Sequence, residues 1–598
     1  MRLGSVAVVL AGLWCVACAR VGPTASGPAP LEHGAAAGVS DPSLAALLAE
    51  HWDATLEAAP VWATSLGDHR FDDRVAGTGP EVRAEWASRS RDWRARATAL
   101  DALSASDALT RDLLLAELQA DAEVDVCRFS EWSFSARSNP LGDANYLSEV
   151  HPLRHPSDGD ALVARYRQLP GMIELQIADL ESGLAAGLVT NRATAERVVE
   201  MFDRQLALPV EDWPLLRPAT ADLDWPGAPA ERFQAELAEV AERQVIPALR
   251  RYREFVADRV VPAARPQGQD GLGGLALGDA CYAALARQHT TLPLTPAEVH
   301  AIGLAEMARI HDEFRVLGPS TLGTDDLQVL FARMRTEPSL YFDSEEAVQA
   351  SASDALARAT AAMPQWFGRL PAATCTVERV PDYEAPYTTI AYYRPGSADG
   401  SRPGAYFVNT FAPETRPRHE AEVLAFHEAI PGHHLQIAIA QELDAVPAFR
   451  RHGGKTAFVE GWALYSERLA DEMGLYSGDS DRLGVLSFDA WRAARLVVDT
   501  GVHAKGWSRA DAERYLMENT PLAENNISNE VDRYIAWPGQ ALGYKIGQLD
   551  VWALRHEAEA ALGDRFEIRA FHDVVLGAGP VTLPILRTRV RDWIVEQR

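Results

Sequence analysis

The stretch from Glu422 to Leu435 contains the residues of this chain best suited to hold a metal ion and move a proton. It reads Glu-Val-Leu-Ala-Phe-His-Glu-Ala-Ile-Pro-Gly-His-His-Leu. Imidazoles bind zinc, and a carboxylate beside the first ligand can act as a general base on metal-activated water. The pattern therefore predicts a hydrolytic site with one Zn2+ per chain, His427 as a ligand and Glu428 as the base.

The spacing of the second histidine is unusual. In the H-E-x-x-H pattern the histidines are four residues apart and leave one face of a helix, whereas here residue 431 is Pro and His433 lies six residues after His427. Pro431 cannot donate to the carbonyl of His427, and with Gly432 it favours a bulge that widens the turn. We expect the bulge to bring His433 to the metal, with His434 as the alternative ligand.

A solvated helix face is the ordinary alternative for a group of histidines and glutamates. Here Val423 and Phe426 help to make the segment apolar, and buried imidazoles and carboxylates need partners, which a metal would supply. A second helix is predicted from Thr456 to Glu467. Its Glu460 and Glu467 are two turns apart and face one side, so they are further candidates for the same site.

Four segments together resemble a known bacterial family. They are His-Glu-Ala-Ile-Pro-Gly-His-His-Leu-Gln at 427–436, Glu-Gly-Trp-Ala-Leu-Tyr-Ser-Glu at 460–467, Val-Asp-Thr-Gly-Val-His at 498–503 and Tyr-Ile-Ala-Trp-Pro-Gly-Gln-Ala-Leu-Gly-Tyr-Lys-Ile-Gly at 534–547. From near residue 43 to the C-terminus the chain is similar to the family called domain of unknown function 885. That family resembles helical, glutamate-liganded zinc peptidases of the thimet oligopeptidase and thermostable carboxypeptidase types. The resemblance implies a zincin core in a mainly helical body.

The resemblance also implies roles for single residues. Glu460, in Val-Glu-Gly-Trp-Ala, matches the position of the glutamate ligand in those peptidases, and Glu467 is implied to orient a ligand histidine. Residues 538–544 resemble the Gly-Tyr-rich helix that supplies a donor to the oxyanion. Tyr544 is therefore the first choice for this donor, with Tyr534 and His503 next.

Other polar residues have structural interpretations. Arg533 and Arg555 are able to bind a substrate carboxylate bidentately. In a chain with 57 Lys and Arg residues, a surface or structural role is the better prediction for both. We likewise interpret His572 as a packed core residue.

Helical periodicity dominates the chain before Pro371, and β-strand patterns follow it. Helices are predicted at 82–103, 107–126, 160–185, 192–208, 230–260 and 295–316. Runs of β-branched and aromatic residues predict strands at 375–380, 387–393 and 405–410. We predict a mainly α protein, with a large single helical zincin-like body and a small β-sheet beside the metal-binding helix. The edge strand of this sheet is expected to pair with an extended peptide.

The first residues predict export. Met1 to Ala17 has a short basic start and an apolar run, typical of a signal peptide rather than a spanning helix of about 20 apolar residues. Cys-Val-Ala-Cys at 15–18 resembles a lipobox, so residues 1–18 are predicted as a signal peptide with lipidation of Cys18, and simple cleavage as the alternative. Residues 19–41 are predicted as a flexible linker and residues 42–598 as the catalytic domain. The expected location is the cell envelope, on the periplasmic or outer-membrane side.

Charge and cysteine content exclude several functions. The net charge of -27 and a pI near 5.0 argue against nucleic-acid binding, so membrane association is expected only through the lipid anchor. Outside the signal peptide, Cys127, Cys281 and Cys375 are widely spaced and odd in number. They form no Cys-type zinc site; one disulfide between two of them stays open, but we do not predict it.

Together these patterns predict a zinc metallopeptidase that hydrolyses peptide bonds. Glu428 takes a proton from the metal-activated water and returns it to the leaving amine. Two alternatives remain open: a zinc hydrolase of a non-peptide amide or ester, and a non-catalytic, zinc-containing cell-surface lipoprotein.

Overall fold

The structure is a computed structural model that describes residues 34–225, 227–381, 385, 390–396 and 402–598. It is mainly helical, with a small three-stranded sheet. The prediction of a mainly α protein with a small sheet is therefore confirmed. No described helix combines the length and apolar character needed to cross a membrane.

The N-terminal boundary differs from the prediction. The predicted signal peptide, Cys18 and residues 19–33 lie outside the described residues. The end of the predicted linker, residues 34–41, packs against the body: Ala35 is buried, and the Ser40 hydroxyl donates to Asp107 at 2.5 Å. The folded part thus already includes residue 34, because the body covers the apolar surface and satisfies the polar groups of this segment.

Prolines and capping residues set the helix starts. The first helices are α1 (Pro42–Ala58), α2 (Pro60–Leu66), α3 (Pro80–Thr98) and α4 (Ala105–Val124). Proline is favoured in the first turn because the N–H that it lacks has no intrahelical partner there. A capping box forms at Thr295: the Glu298 N–H donates to the Thr295 hydroxyl at 3.2 Å, and the Thr295 N–H donates to the Glu298 carboxylate at 2.8 Å.

Helices between residues 134 and 261 enclose a hydrophobic core of their own. They are α5 (Pro140–Val150), α6 (Pro156–Ala185), α7 (Arg192–Leu206), α8 (Arg217–Thr220), α9 (Ala228–Val240), α10 (Ile246–Phe255) and α11 (Val261–Ala263). The helix predicted at 230–260 is interrupted by π turns at Ala241–Val245 and Val256–Val260. Each turn precedes a proline, Pro247 or Pro262, which has no N–H for the regular ladder. The described part of the predicted single body therefore has two large hydrophobic cores and a third, small cluster at the sheet.

The larger core joins residues 35–132 and Leu188 with residues 272–594. Its further helices are α12 (Gly278–Thr290), α13 (Pro296–Leu322), α14 (Leu327–Thr336), α15 (Glu345–Trp366), α16 (Arg418–Glu428), α17 (His433–Gln441), α18 (Ala448–His452), α19 (Thr456–Glu472), α20 (Asp479–Ala504), α21 (Arg509–Asn519), α22 (Glu524–Ala536), α23 (Leu542–Leu562), α24 (Ile568–Leu576) and α25 (Leu583–Gln597). Helix α20 is buried from Leu483 to His503 and packs against α13, α16 and α23. A disulfide that the sequence did not predict joins Cys127 to Cys281 across 154 residues.

The sheet lies beside α16. It contains β1 (Cys375–Arg379), β2 (Ala391–Arg394) and β3 (Gly404–Val408). The order is β1-β3-β2, with β1 parallel and β2 antiparallel to the central β3. The middle strand was predicted at 387–393, but β2 starts at Ala391. Residues 387–389 lie outside the described part. Strand β2 is an edge strand and contacts α16.

Two glycines allow α19 and α23 to pack backbone against backbone. A Cβ atom on Gly461 would lie 2.5 Å from the Cα of Gly547, and one on Gly547 would lie 1.8 Å from the carbonyl oxygen of Ala457. Real Cβ atoms do not approach backbone so closely, so neither position accepts a side chain without moving a helix. This contact sets the distance between the helix that carries Glu460 and the helix that carries Tyr544.

Replacing Gly547 with Ala is expected to destabilise the protein by about 1–3 kcal/mol through overpacking. Thermal unfolding monitored by circular dichroism measures the change. Gly171→Ala is the matched control, because a Cβ atom there meets nothing within 4 Å and the site is inside a helix; this variant is expected to keep or raise the Tm. Equal Tm values for the two variants would contradict the close packing of α19 on α23.

Candidate metal centre

The His-Glu segment folds as two helices joined by a tight turn. Helix α16 ends at Glu428 and α17 begins at His433, and the Ile430–Pro431 peptide between them is cis. A Cβ atom on Gly432 would lie 1.9 Å from the carbonyl oxygen of His427, so only glycine fits this approach. The prediction of a bulge within one continuous helix is therefore wrong. Helix α16 ends at Glu428, and the chain turns back so that Gly432 packs against the last turn of α16.

Helix α19 holds this turn in place. The carbonyl oxygen of Pro431 accepts hydrogen bonds from Trp462 Nε1 at 2.9 Å and from Ser466 Oγ at 3.1 Å. All three residues are buried. The helix that carries Glu460 thus also fixes the turn that positions His433.

The turn brings His427, His433 and Glu460 together. One possible ligand atom from each residue lies within 4.8 Å of the other two. Glu460 Oε2 is 3.4 Å from His433 Nε2 and 3.9 Å from His427 Nε2. Among the described residues, neither Glu460 Oε2 nor His433 Nδ1 has a hydrogen-bond partner, although both atoms are buried.

Glu467 orients the first of these histidines. The Nδ1 atom of His427 donates to Glu467 Oε1 at 2.8 Å, which leaves Nε2 of the ring directed at Glu460. A carboxylate behind a histidine sets the tautomer and the orientation that metal binding needs. Burial raises the pKa of Glu467 to about 8.

Burial and neighbouring charges together set the pKa values of the other groups in the site. Burial raises the pKa of Glu428 to about 7 and lowers the pKa of His427 well below its usual value. Burial also disfavours the protonated form of His433, but the carboxylates of Glu460, Glu428 and Glu467 outweigh it and raise the pKa of this histidine. For Glu460, burial is again the largest single influence, and His433 and Tyr544 overcome it to lower the pKa. His433 and Glu460 thus stabilise each other's charged forms.

Glu428 is held at the edge of the sheet. Its Oε2 atom accepts a hydrogen bond from the backbone N–H of Tyr393 on β2 at 3.0 Å. The charges of His433 and Glu460 act on the Glu428 carboxyl, and all three residues line the same cavity, so this carboxylate lies near the cluster and is held there by a backbone group. The role of Tyr393 has no signal in the sequence, because any non-proline residue at this position supplies the same N–H.

Tyr544, at the start of α23, completes this side of the centre. Its hydroxyl interacts with Glu460 and helps to lower the pKa of that carboxyl. Arg533 Nη2 donates to the Tyr544 oxygen at 3.1 Å, and the Arg495 guanidinium carbon lies 4.2 Å from the centre of the tyrosine ring. The phenol is thus positioned from two sides.

A cavity of about 3810 Å³ opens onto the centre. Residues from both hydrophobic cores and from β2 line it, including Asn139, Tyr393, Glu428, His433, Glu460 and Tyr544. Such a volume exceeds the usual 300–1,000 Å³ or so of small-molecule sites. The cavity has room for an extended chain of several residues.

The comparisons with known proteins place the chain in a family. The family model of bacterial proteins of unknown function, DUF885, matches residues 60–590. The chain belongs to this family. The membership predicted from the four motifs is therefore confirmed. No curated protein matches the chain.

Two solved structures share the fold with this DUF885 protein. A candidate lipoprotein from Colwellia psychrerythraea is 26% identical, with a TM-score of 0.86, and the match covers 92% of this chain and 99% of that chain. A candidate lipoprotein of unknown function from Shewanella oneidensis is 18% identical, with a TM-score of 0.72, and the match covers 91% and 98%. The second likeness shows the fold alone.

Three residues that the sequence suggested for the site of this DUF885 protein, His434, His503 and Tyr534, are not in the group formed by His427, His433 and Glu460. His434 donates from Nε2 to the Ala373 carbonyl at 3.2 Å and accepts from the Tyr393 hydroxyl at Nδ1, at 2.9 Å, so both ring nitrogens are engaged. His503 accepts the Leu272 N–H at 3.1 Å and donates to the Tyr534 carbonyl at 3.0 Å.

The side chain of Tyr534 makes structural hydrogen bonds and does not line the cavity. Its hydroxyl donates to Glu530 at 2.7 Å and accepts from Arg495 Nε at 3.2 Å. Neither His503 nor Tyr534 lines the cavity. The packing of α20 against α22 turns both side chains to neighbouring backbone and side chains, so the structure does not bring these two candidate oxyanion donors to the centre.

The structural interpretations of other residues agree with their contacts. Arg555 pairs with Glu472 at 2.6 Å outside the cavity lining, and His572 is fully buried and stacks on Phe367. Arg533 differs, because it lines the cavity. Arg492 and Arg495 also line it and were missed by the sequence analysis; their spacing of three on one helix is a signal, but it is shared with many structural arginines.

Proposed function

We propose that this protein is a zinc metallopeptidase with a zincin-like centre, and the observation that carries the proposal is the grouping of His427, His433 and Glu460 beside Glu428. Two atoms bound tetrahedrally to zinc at about 2.0–2.2 Å lie roughly 3.3–3.6 Å apart. The separation of 3.4 Å between His433 Nε2 and Glu460 Oε2 fits this value, and the buried Glu460 oxygen has no other partner in the described structure. Two imidazoles and one carboxylate are the ligands of a common class of catalytic zinc sites.

A zinc ion held by these residues would polarise water and a substrate carbonyl. In the proposed mechanism Glu428 accepts a proton from water and returns it to the leaving amine. The hydrogen bond from the Tyr393 N–H, which holds one carboxylate oxygen of Glu428, supports this role. Tyr544 is placed to donate to an oxyanion from the Glu460 side. One such donor stabilises a transition state by about 3 kcal/mol.

A peptide is the substrate that the surroundings favour. The large cavity runs along β2, an edge strand to which an extended chain can add by backbone hydrogen bonds, whatever its side chains. A small ester or amide would leave most of this cavity unused.

Incubation with a mixed peptide pool, followed by mass spectrometry of the products, tests the proposal. We expect cleavage that a chelator abolishes and that added Zn2+ restores. One bound zinc per chain without cleavage of any peptide would instead favour the non-catalytic lipoprotein. Cleavage only of non-peptide esters or amides would favour the alternative hydrolase.

Replacing Glu467 with Gln is expected to weaken zinc binding by about 10- to 100-fold. Glutamine keeps the shape of the side chain but removes the charge that orients His427 through the 2.8 Å hydrogen bond. Competition with a chromogenic chelator measures the affinity. Glu472→Gln is a control on the same helix, since Glu472 pairs with Arg555 away from the cavity; unchanged affinity in both variants would remove the role given to Glu467.

We further propose that the protein is a lipid-anchored component of the cell envelope. The Cys-Val-Ala-Cys segment ending at Cys18 supports this proposal, as do the two related candidate lipoproteins. The Cys127–Cys281 disulfide suits an oxidising compartment. We expect Cys18→Ser to move the protein from the detergent phase to the aqueous phase in a partitioning assay, whereas Cys375→Ser does not.

A further inference from the structure

A group of arginines lies beside the candidate metal centre. Arg492 and Arg495 come from α20 and Arg533 from α22, and all three line the cavity. Arg492 and Arg495 are only 4% and 2% exposed. We call these three residues the arginine cluster. Buried guanidinium groups remain charged, so they need acceptors.

Arg492 has few polar partners. Its guanidinium carbon lies 4.3 Å and 4.2 Å from the ring centres of Phe488 and Trp491. Its Nη2 atom is 3.6 Å from Glu467 Oε1, which already accepts a hydrogen bond from His427. Within the described part of the chain, the buried Nε and Nη1 atoms of Arg492 have no hydrogen-bond partner. Arg492 lines the cavity, so an anion bound there would supply an acceptor that its guanidinium group lacks.

The other two arginines share one carboxylate. Glu530 accepts from Arg495 at 2.9 Å and lies 3.5 Å from Arg533. Arg495 Nη1 and Arg533 Nε are also buried and lack a partner among the residues described. The cluster thus contributes three positive charges, against which the carboxyls of Glu530 and Glu467 supply at most two negative charges, and Glu467 also serves His427. A net positive charge remains in a buried wall.

The arginine cluster lies close to the candidate metal ligands. Arg533 donates to the Tyr544 hydroxyl at 3.1 Å, and that hydroxyl interacts with Glu460. The cluster is therefore one side chain away from the candidate ligands. One residue of extended chain spans about 3.3–3.6 Å, so an anion at the cluster belongs to the part of a substrate next to the cleaved bond.

We propose that the arginine cluster binds a carboxylate that the substrate carries one or two residues from the cleaved bond. This proposal rests on the proposed peptidase function and names its substrate class: peptides with a free C-terminal carboxylate, or an acidic side chain, at that position. Arginine forks match the planar geometry of a carboxylate better than that of most other anions in a peptide.

Matched peptides test the proposal by hydrolysis. One pair has the same sequence with either a free acid or an amide at its C-terminus, and a second, amidated pair has either Glu or Gln beside the cleaved bond. We expect kcat/KM to be about 10-fold or more higher for the carboxylate member of at least one pair. The pair that responds identifies the source of the carboxylate. Equal kcat/KM values within both pairs would overturn the proposal while leaving the peptidase function intact.

Substitution of the cluster shows whether it is the binding group. Arg492→Gln and Arg533→Gln are each expected to bring the acid-to-amide ratio of kcat/KM close to one. Arg555→Gln is the matched control, because Arg555 is also buried and lies 4.9 Å from the ring centre of Trp552, but it is outside the cavity lining. This control is expected to keep the ratio even if its stability falls. A ratio unchanged in both cluster variants would overturn the proposal.

A binding measurement on chelator-treated protein separates this proposal from the peptidase function. N-acetylphenylalanine and its amide serve as probes in ligand-observed NMR. We expect the acid to bind in preference to the amide without zinc, and Arg492→Gln to abolish the preference. If the acid binds in this way but no peptide is cleaved, the carboxylate site stands and the peptidase proposal fails. If preference for the acid requires zinc and survives Arg492→Gln, the metal binds the carboxylate and the cluster does not.

Discussion

Glu428→Gln is expected to lower kcat for peptide hydrolysis by about 100- to 10,000-fold while the protein keeps one zinc per chain. Glutamine has nearly the same volume, and its amide oxygen can still accept the hydrogen bond that the Tyr393 N–H donates to Glu428 at 3.0 Å. The substitution therefore removes the proton acceptor without removing a ligand. Steady-state kinetics together with metal analysis of the same samples measures both effects.

Glu420→Gln is the matched control for this experiment. Glu420 lies on the same helix, it is also partly buried, and burial raises the pKa of its carboxyl to about 7, as it does for Glu428. It is not part of the group of candidate ligands. We expect the Glu420 variant to keep kcat within about threefold, well inside the range that general-base loss produces. A Glu428 variant with full turnover and bound zinc would refute the proposed mechanism.

His433→Ala is expected to abolish stoichiometric zinc binding, whereas His434→Ala is expected to retain it. Loss of a direct ligand should weaken affinity by more than the roughly 10- to 100-fold that loss of an orienting group produces. Only His433 lies 3.4 Å from Glu460 through its Nε2 atom. The His434 ring is held by Tyr393 and Ala373 on the other side of the turn. Plasma mass spectrometry of dialysed protein gives the zinc content per chain.

The same pair of variants separates metal binding from folding. Both histidines are held within the fold, so either substitution can lower the Tm, but only one is expected to remove zinc. Circular dichroism of the metal-free proteins provides the comparison of stability. Zinc retained by His433→Ala and lost by His434→Ala would reverse the assignment, and with it the account of the turn at Pro431 and Gly432.

Local sequence patterns determined most of the secondary structure. The helices and the small sheet follow from periodicity, because the side chains that share a helix face or a strand face are set by residue spacing alone. The cap at Thr295 was predictable for the same reason, since Thr295 and Glu298 satisfy each other within one turn. The two π turns before Pro247 and Pro262 were not predicted, although the prolines that cause them are visible in the sequence.

The residue types of the candidate centre were also determined by the sequence. His427, Glu428 and Glu460 were selected from motifs; the structure groups His427 and Glu460 with His433, and Glu428 lines the same cavity. The irregular spacing at Pro431 and Gly432 indicated that a regular helix could not continue. It did not indicate the form of the irregularity, because a bulge and a break with a fold-back satisfy the same local restrictions.

Tertiary structure alone decided which of several equivalent residues face the centre. Tyr544, Tyr534 and His503 were all plausible donors by type, but the packing of α20, α22 and α23 turns only Tyr544 toward Glu460. The arginine cluster and the Cys127–Cys281 disulfide were equally hidden, since each joins residues from separate helices. The physical reason is that residue spacing determines which side chains share one helix face, whereas the partners of that face depend on how helices far apart in the chain pack against one another.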